Sequence, residues 1–338
     1  MRYQNVSIAS VSHAEAPHLL TSAAIMERLA PQMKRLGLRE NLLESVAGIK
    51  SRQVYDIDTP PSDAAVTAAE MAIEEAGIER DRLGLLINTS VCRDFLEPST
   101  ASIVHGKLGL PDTCQNFDVG NACLGFLNGM DIAARMIELG EIEYAIIVNG
   151  ENSGLIAERT VERMLRPDIT VNEFRAEFAS LTLGSGGAAM ILGRRELLPH
   201  GHQYLGSVTR AATQWRHLCI GNLDRMITDT RGLLIQGVKL AAKTFEVARA
   251  MAGWVMHEID EFVIHQVSKA HTEEFIRILG IDPRKVFTIF PEFGNIGPAS
   301  IPVAMSRMKA AGRLVKGKRL ALVGVGSGLN CTVGEVVW

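Results

Sequence analysis

No stretch of this chain reaches the roughly 18 consecutive apolar residues that a bilayer-spanning helix needs, so it is not expected to be an integral membrane protein. The first ten residues, Met1 to Ser10, lack the basic start, long apolar run and cleavage site of a secretory signal, and a cytoplasmic location is expected. Charge of one sign is also scarce: 35 Lys and Arg against 38 Asp and Glu leave a formal net charge of −3. That balance offers no basic surface to nucleic acid or another polyanion. The five cysteines, Cys92, Cys114, Cys123, Cys219 and Cys331, are scattered without a CxxC pair. The spacing suggests neither a zinc knuckle nor a disulfide framework, and no metal or cofactor is expected.

What the chain does have is apolar content, 47% of its 338 residues, with charged residues at 22%. That supports a large core and about two domain-sized units. Helical periodicity over 64–76, closed by Gly77, is followed by a strand-length apolar run at 83–88. An amphipathic helix over 124–139, closed by Gly140, leads to a second apolar run at 144–149. The alternation continues with a helix at 240–251, a strand at 262–265, a helix at 301–311 and a strand at 319–325. Repeated strand–helix alternation predicts an α/β fold.

The pattern also repeats internally. Ala76-Gly77 and the run Leu85 to Asn88 recur as Ala252-Gly253 and Phe262 to His265, at an offset of 176 to 177 residues. Gly120-Asn121-Ala122-Cys123, a helix and Val148-Asn149-Gly150 recur 174 residues later as Gly294-Asn295-Ile296-Gly297, a helix and Leu322-Val323-Gly324. Leu183-Gly184-Ser185-Gly186 recurs as Val325-Gly326-Ser327-Gly328 at an offset of only 142, so the first half carries about 32 extra residues between Glu151 and Thr182. The expected division is an N-terminal half over 1–200, bearing the insertion near 151–182, and a C-terminal half over 201–338. Duplicated halves imply a pseudo-twofold core in which the Gly120-Asn121 and Gly294-Asn295 loops face one another.

Chemistry is expected where those loops meet. Cys123 directly precedes a helix, where dipole and unpaired N–H groups stabilise a thiolate and lower the thiol pKa; a buried helix-start cysteine is the competing reading. His265 ends an apolar run, placed either to project into a cleft or to sit as a satisfied core histidine. Asn295 lies in a loop defined by Gly294, Gly297 and Pro298, and either holds the turn or faces Cys123 across the pseudo-twofold. The Gly324-Val325-Gly326-Ser327-Gly328 loop has only ten residues after it. There is no room for the helix and acidic residue of a dinucleotide site, so backbone N–H donation to an oxyanion is the better use. Phe126, Leu127 and Met130 fit an acyl channel and ordinary helix core equally well.

Cys123, His265 in VIHQVS, Asn295 in GNIGPASIP and the terminal GVGSG resemble the Cys-His-Asn triad and oxyanion loop of 3-oxoacyl-ACP synthase III and its thiolase-superfamily relatives. The resemblance spans essentially the whole chain. It implies a thiolase fold with duplicated halves in a five-layer αβαβα arrangement. SVCRDFLEPSTASIVHGKLGL, FDVGNACLGFLNGMDIAARMIE, NLDRMITDTR and GNIGPASIPVAMSRMKAAGRL look most like the OleA family, which condenses two fatty acyl-CoAs in long-chain olefin biosynthesis.

The resemblance assigns roles by position. Cys123 would carry the first acyl group as a thioester, with the backbone N–H groups of Cys123 and Ser327 as its oxyanion hole. His265 and Asn295 would stabilise the enolate of the second acyl-CoA. Glu97 matches the glutamate that crosses the dimer in this family to act as base; read from the residues alone, it is as well a loop glutamate facing solvent. Ordinary synthase III carries an aromatic residue where Glu97 stands and Asn where Ser268 stands. Both departures count against malonyl-ACP decarboxylation, which generates its own carbanion, whereas a non-decarboxylating Claisen step must remove an α-proton. The expected reaction is therefore condensation of two long-chain acyl-CoAs to a 2-alkyl-3-oxo acid by a homodimer, with downstream olefin-pathway enzymes as partners. The rivals are a decarboxylative synthase III, a Cys-His-Asn hydrolase and a catalytically silent thiolase-fold partner.

Overall fold

The computed structural model describes residues 2–222 and 224–338. Met1, at the head of the N-terminal stretch, and Leu223, inside the NLDRMITDTR segment, lie outside the described residues.

In chain order the elements are β1 (Val6–Ala14), β2 (His18–Thr21), α1 (Ser22–Leu36), β3 (Ser51–Val54), α2 (Pro61–Ala76), β4 (Leu83–Asn88), α3 (Thr100–Leu108), β5 (Gln115–Asp118), α4 (Gly125–Glu138) and β6 (Tyr144–Glu151). There follow α5 (Gly154–Met164), α6 (Val171–Glu177), β7 (Gly186–Arg194), β8 (His202–Ala211), β9 (Cys219–Gly221), β10 (Met226–Thr228), α7 (Thr230–Ala252), β11 (Glu261–Ile264) and α8 (Lys269–Leu279). The short turn α9 (Phe290–Phe293), α10 (Ser300–Ala310), β12 (Arg319–Gly326) and β13 (Asn330–Val337) complete the chain. Strands and helices fall where the apolar runs predicted, with one large difference. The helix expected at 240–251 begins ten residues earlier, because the Asp229 side chain accepts from Gly232 N–H at 2.9 Å and caps it there.

Nine strands form one sheet in the order β11-β12-β13-β8-β1-β7-β6-β4-β5. Read outward from its middle, the sheet is the same motif twice: β1-β7-β6-β4-β5 on one side and β8-β13-β12-β11 on the other. Phe262 bridges in parallel to Val286 at the place where β4 pairs with β5. The seam between the halves is narrow: the strand pairing covers Ser7–Gln203 and Ile8–His202, and Tyr3 N–H donates to Leu205 O at 3.1 Å beside it.

Period-two side chains explain the layers. Leu85, Ile87, Ala145, Ile147, Met190, Leu320 and Leu322 point into one shared core with α4 and α10. Their neighbours Leu86, Ile146, Val148, Ala189 and Ile191 point outward onto α2 and α3. Ala321 and Val323 point onto α7 and α8. The succession is helix, sheet, central helices, sheet, helix: the five-layer thiolase fold. Phe126, Leu127 and Met130 of α4 are at most 1% exposed and pack within the central core. The 151–182 region supplies α5, α6 and the turn Phe178–Thr182, packed with α1 around Leu29, Met33, Met164 and Phe174. Its anchor is Glu177, 1% exposed, which binds Arg163 and Arg225 at 2.7 Å each. Among the described residues no helix is long and apolar enough to cross a membrane.

Candidate active site

The turn that presents Cys123 is forced. After β5, Ala122 adopts φ 44°, the only positive φ at a non-glycine among the described residues, a conformation that costs about 1–2 kcal/mol. One 3-10 turn, Ala122–Leu124, then runs directly into α4. Gly125 permits this, because a methyl group there would sit 2.7 Å from the Thr89 carbonyl. Asn121 is held from two sides: its amide donates to Asn128 Oδ1 at 2.6 Å and its oxygen accepts from Asn330 Nδ2 at 3.1 Å.

His265 follows the last residue of β11. Its backbone N–H donates to Val323 O at 2.8 Å, so the ring stands at the C-terminal edge of the parallel β11–β12 pair, where loops of an α/β sheet gather. The adjacent Gln266, fully buried, locks this edge. Its Nε2 donates to Phe287 O at 2.8 Å and its Oε1 accepts from Ile289 N–H at 2.7 Å and Phe290 N–H at 3.2 Å.

Asn295 is positioned by the other half of the molecule. Its N–H donates to Thr182 O at 2.8 Å, and its carbonyl accepts from Gly184 N–H at 3.0 Å. Its side-chain oxygen accepts from Gly297 N–H at 3.0 Å, which leaves the Nδ2 donor for a ligand. The turn Gly297–Ala299 packs on the Cys123 turn.

The end of β12 closes on the same turn. A methyl group at Gly324 would sit 2.6 Å from Leu124 Cδ2, and one at Gly326 would sit 3.4 Å from the Cys123 nitrogen. Ser327 is the next residue, so the glycines let this strand end approach the N–H groups of the nucleophile turn.

Electrostatics correct one expectation. A lowered thiol pKa was expected for Cys123 at a helix start. Burial instead pushes it up to about 12, with Cys219 and then Glu151 adding to the rise and a backbone hydrogen bond opposing it. His265, 3% exposed, is pushed down to about 4 by burial, against a small opposing pull from the nearby Asn295 amide. Neither ring nitrogen has a hydrogen-bond partner among the described residues. At neutral pH His265 is thus an uncharged ring with an unused donor.

Glu97 stands away from this cluster. It is exposed, without a hydrogen-bond or ion-pair partner among the described residues. Beside it Phe95 is 62% and Leu96 85% exposed. The loop is nonetheless fixed at both ends. Asp94 accepts from Ser62 N–H at 3.0 Å and Ser62 Oγ at 2.6 Å, and Asp118 accepts from Thr100 N–H at 3.2 Å and Ala101 N–H at 2.8 Å.

Sequence reasoning missed three residues. Gln266 follows the histidine inside the quoted motif. His271 lies on α8 with its ring centroid 6.5 Å from that of His265, and burial and then His265 push its pKa down to about 3. Glu151 ends β6 and is 5% exposed; burial raises its pKa. A carboxylate two residues after the apolar run Tyr144 to Val148 and its Asn149 was the available signal.

Residues 117–212 match the family described as 3-oxoacyl-[acyl-carrier-protein (ACP)] synthase III, and residues 250–338 match its C-terminal portion. Over its full length the chain is 59% identical to an acyl-CoA:acyl-CoA alkyltransferase of Xanthomonas campestris pv. campestris, covering 100% of both. It is 34% identical to one from Shewanella oneidensis, again covering 100% of both. A crystal structure of Xanthomonas campestris OleA with bound lauric acid and lauroyl-CoA superposes with a TM-score of 0.98 at 59% identity, covering 99% of this chain and 100% of that one. Further crystal structures of that protein carry substitutions at one glutamate, one cysteine and one histidine.

Proposed function

The chain belongs to the 3-oxoacyl-[acyl-carrier-protein] synthase III family, within it to the OleA-type acyl-CoA:acyl-CoA alkyltransferases, and from that premise we propose how its residues divide the reaction. The enzyme is an acyltransferase that joins two long-chain fatty acyl-CoAs by non-decarboxylative Claisen condensation. The product is a 2-alkyl-3-oxo acid, in the first step of head-to-head olefin biosynthesis. The assignment of residues rests on one observation above the others. The glutamate, cysteine and histidine replaced in the Xanthomonas structures are spaced by 26 and 142 residues, the spacings of Glu97, Cys123 and His265 here.

In the first step Cys123 Sγ attacks the thioester carbonyl of one acyl-CoA. The tetrahedral oxyanion is held by the N–H groups of Cys123 and Ser327. Collapse breaks the C–S bond to CoA, and the thiol proton leaves with the CoA sulfur. A thiol whose pKa is about 12 loses its proton in the course of attack rather than before it. In the second step Glu97 of a second copy of the chain removes the α-proton of the other acyl-CoA. The enolate oxygen accepts from neutral His265 and from Asn295 Nδ2, and the α-carbon attacks the acyl-cysteine, expelling the Cys123 thiolate. The proton on Glu97 restores the thiol. Water then cleaves the remaining CoA thioester to the acid.

The division of labour explains why Glu97 is exposed in a single chain: its loop is rigid at both ends and carries apolar Phe95 and Leu96 for a partner surface. A homodimer working in the cytoplasm, handing its β-keto acid to downstream olefin-pathway enzymes, completes the proposal. Purified enzyme incubated with one long-chain acyl-CoA and no malonyl donor tests it. The expected product is the 2-alkyl-3-oxo acid, or the ketone it yields on losing carbon dioxide. Product only on addition of malonyl-ACP would establish the decarboxylative alternative.

A further inference from the structure

The structure assigns Glu151 as a positioning residue that straps the Glu97 loop to the Cys123–Asn295 centre. Its carboxylate accepts three hydrogen bonds: Val91 N–H to Oε1 at 2.8 Å, Asn149 Nδ2 to Oε1 at 3.2 Å and Cys92 N–H to Oε2 at 3.1 Å. Val91 and Cys92 are the stem of the loop that ends at Glu97. Around the carboxylate the same stem is tied to the end of β6 by Thr89 N–H and Thr89 Oγ1 to Val148 O, by Gly150 N–H to Ser90 Oγ at 2.8 Å, and by Cys92 Sγ to Asn152 O at 3.3 Å. On its other side Glu151 meets the asparagine loop: a methyl group at Gly297 would sit 3.9 Å from the Glu151 carboxylate. One buried carboxylate therefore holds the backbone of the loop that serves the neighbouring active site and lies beside the loop that serves its own.

Burying a carboxylate costs several kcal/mol unless hydrogen bonds replace its water. A glutamine or an apolar residue at the end of β6 would fill the same space without that cost. A carboxylate differs in offering acceptors to two backbone N–H groups at once. A glutamine would satisfy one of them and turn its own NH₂ toward the other. The loop stem would then have to move, and a displacement near 1 Å at a reacting group costs on the order of 100-fold in rate. Acylation of Cys123 uses neither Glu97 nor the asparagine donor, and losing the Glu151 charge, which helps to raise the Cys123 thiol, does not hinder attack, so acylation is not slowed with condensation. The inference rests on the reading that Glu97 is the base.

The test is Glu151→Gln in the full-length dimer, with Cys123 acylation followed by intact-protein mass spectrometry in single turnover and condensation followed by product formation. Expected are acylation no more than about 3-fold slower than wild type and condensation down on the order of 100-fold, with KM for acyl-CoA little changed. Glu97→Gln combined with Glu151→Gln should condense no more slowly than Glu97→Gln alone, because both act through one group. Wild-type condensation by Glu151→Gln, equal loss of both steps, or additive losses in the double variant would overturn the assignment. Should Glu151→Gln not fold, Asn149→Leu removes one donor to the carboxylate at similar volume and should lower condensation alone by about 10-fold; unchanged rates there would overturn it equally. A Glu97→Gln homodimer that condenses normally refutes the base reading instead, whatever Glu151→Gln does.

Discussion

Gly184 offers a way to move Asn295 without touching it. A methyl group at this position would sit 1.9 Å from the Phe293 carbonyl oxygen and 3.2 Å from Ile296 Cγ2. Carbon–oxygen contact requires about 3.3 Å, so in Gly184→Ala the strands of backbone at 182–184 and 293–295 must part by about 1.4 Å. They are joined there by Gly184 N–H to Asn295 O at 3.0 Å and Asn295 N–H to Thr182 O at 2.8 Å. Losing both costs about 2 kcal/mol of stability, and a shift of this size at the enolate donor should slow condensation on the order of 100-fold. Cys123 is held by a different set of contacts, through Asn121, Asn128 and Asn330, so its acylation should fall by less than 10-fold. The assay is single-turnover acylation against steady-state condensation, with thermal unfolding to register the stability loss. Gly37→Ala serves as the control: its φ is 65°, a strained conformation for alanine, but nothing lies within 4 Å of the added methyl, so it should cost about 1–2 kcal/mol and leave both rates unchanged. Full condensation by Gly184→Ala, or acylation lost as deeply as condensation, would refute the argument that this ladder sets the asparagine.

Cys123→Ser should take up no acyl group from acyl-CoA, because no adjacent base is placed to activate a hydroxyl; an adduct on any of the other four cysteines of the wild-type enzyme would overturn the nucleophile assignment. Glu97→Gln homodimers should acylate normally and condense poorly, and mixing them with Cys123→Ser subunits should restore activity through heterodimers with one complete site. No recovery in well-exchanged mixtures would place the glutamate's action within its own subunit. His265 has a folded pKa near 4, below the 6.5 of a free histidine, so the unfolded chain binds more protons between those values and stability falls as pH drops through that window. His265→Asn should therefore lose about 2 kcal/mol less than wild type between pH 7 and pH 5, measured by denaturant midpoints; equal losses would show that the ring is not buried uncharged.

Local signals in the sequence already located most of the framework. The apolar runs at 83–88 and 319–325 became β4 and β12, because a strand buried on both faces has no polar alternation to obscure it. The two-fold repetition of glycine-punctuated loops revealed the duplicated halves, since equivalent loops in a pseudo-twofold fold need the same backbone freedom. Cys123, His265 and Asn295 were legible as candidates from their places at a helix start, a strand end and a glycine-proline loop. The length of α7 was less legible: its first ten residues include Gly232 and Gly237, and the cap that starts it is a single aspartate.

Tertiary structure alone decided what those residues experience. The Cys123 thiol is pushed up by burial and by Cys219 and Glu151, surroundings that its place at a helix start does not disclose. His265 is uncharged because β12 and the asparagine loop, both distant in the chain, close over it together with the adjacent α8. Asn295 owes its place to Thr182 and Gly184 at the end of the 151–182 insertion, a ladder that no reading of either segment alone contains. The role of Glu151 could not be read for the same reason. Its meaning lies in two N–H groups sixty residues away in the chain, and hydrogen bonds of that kind exist only once folding has brought the strand ends together.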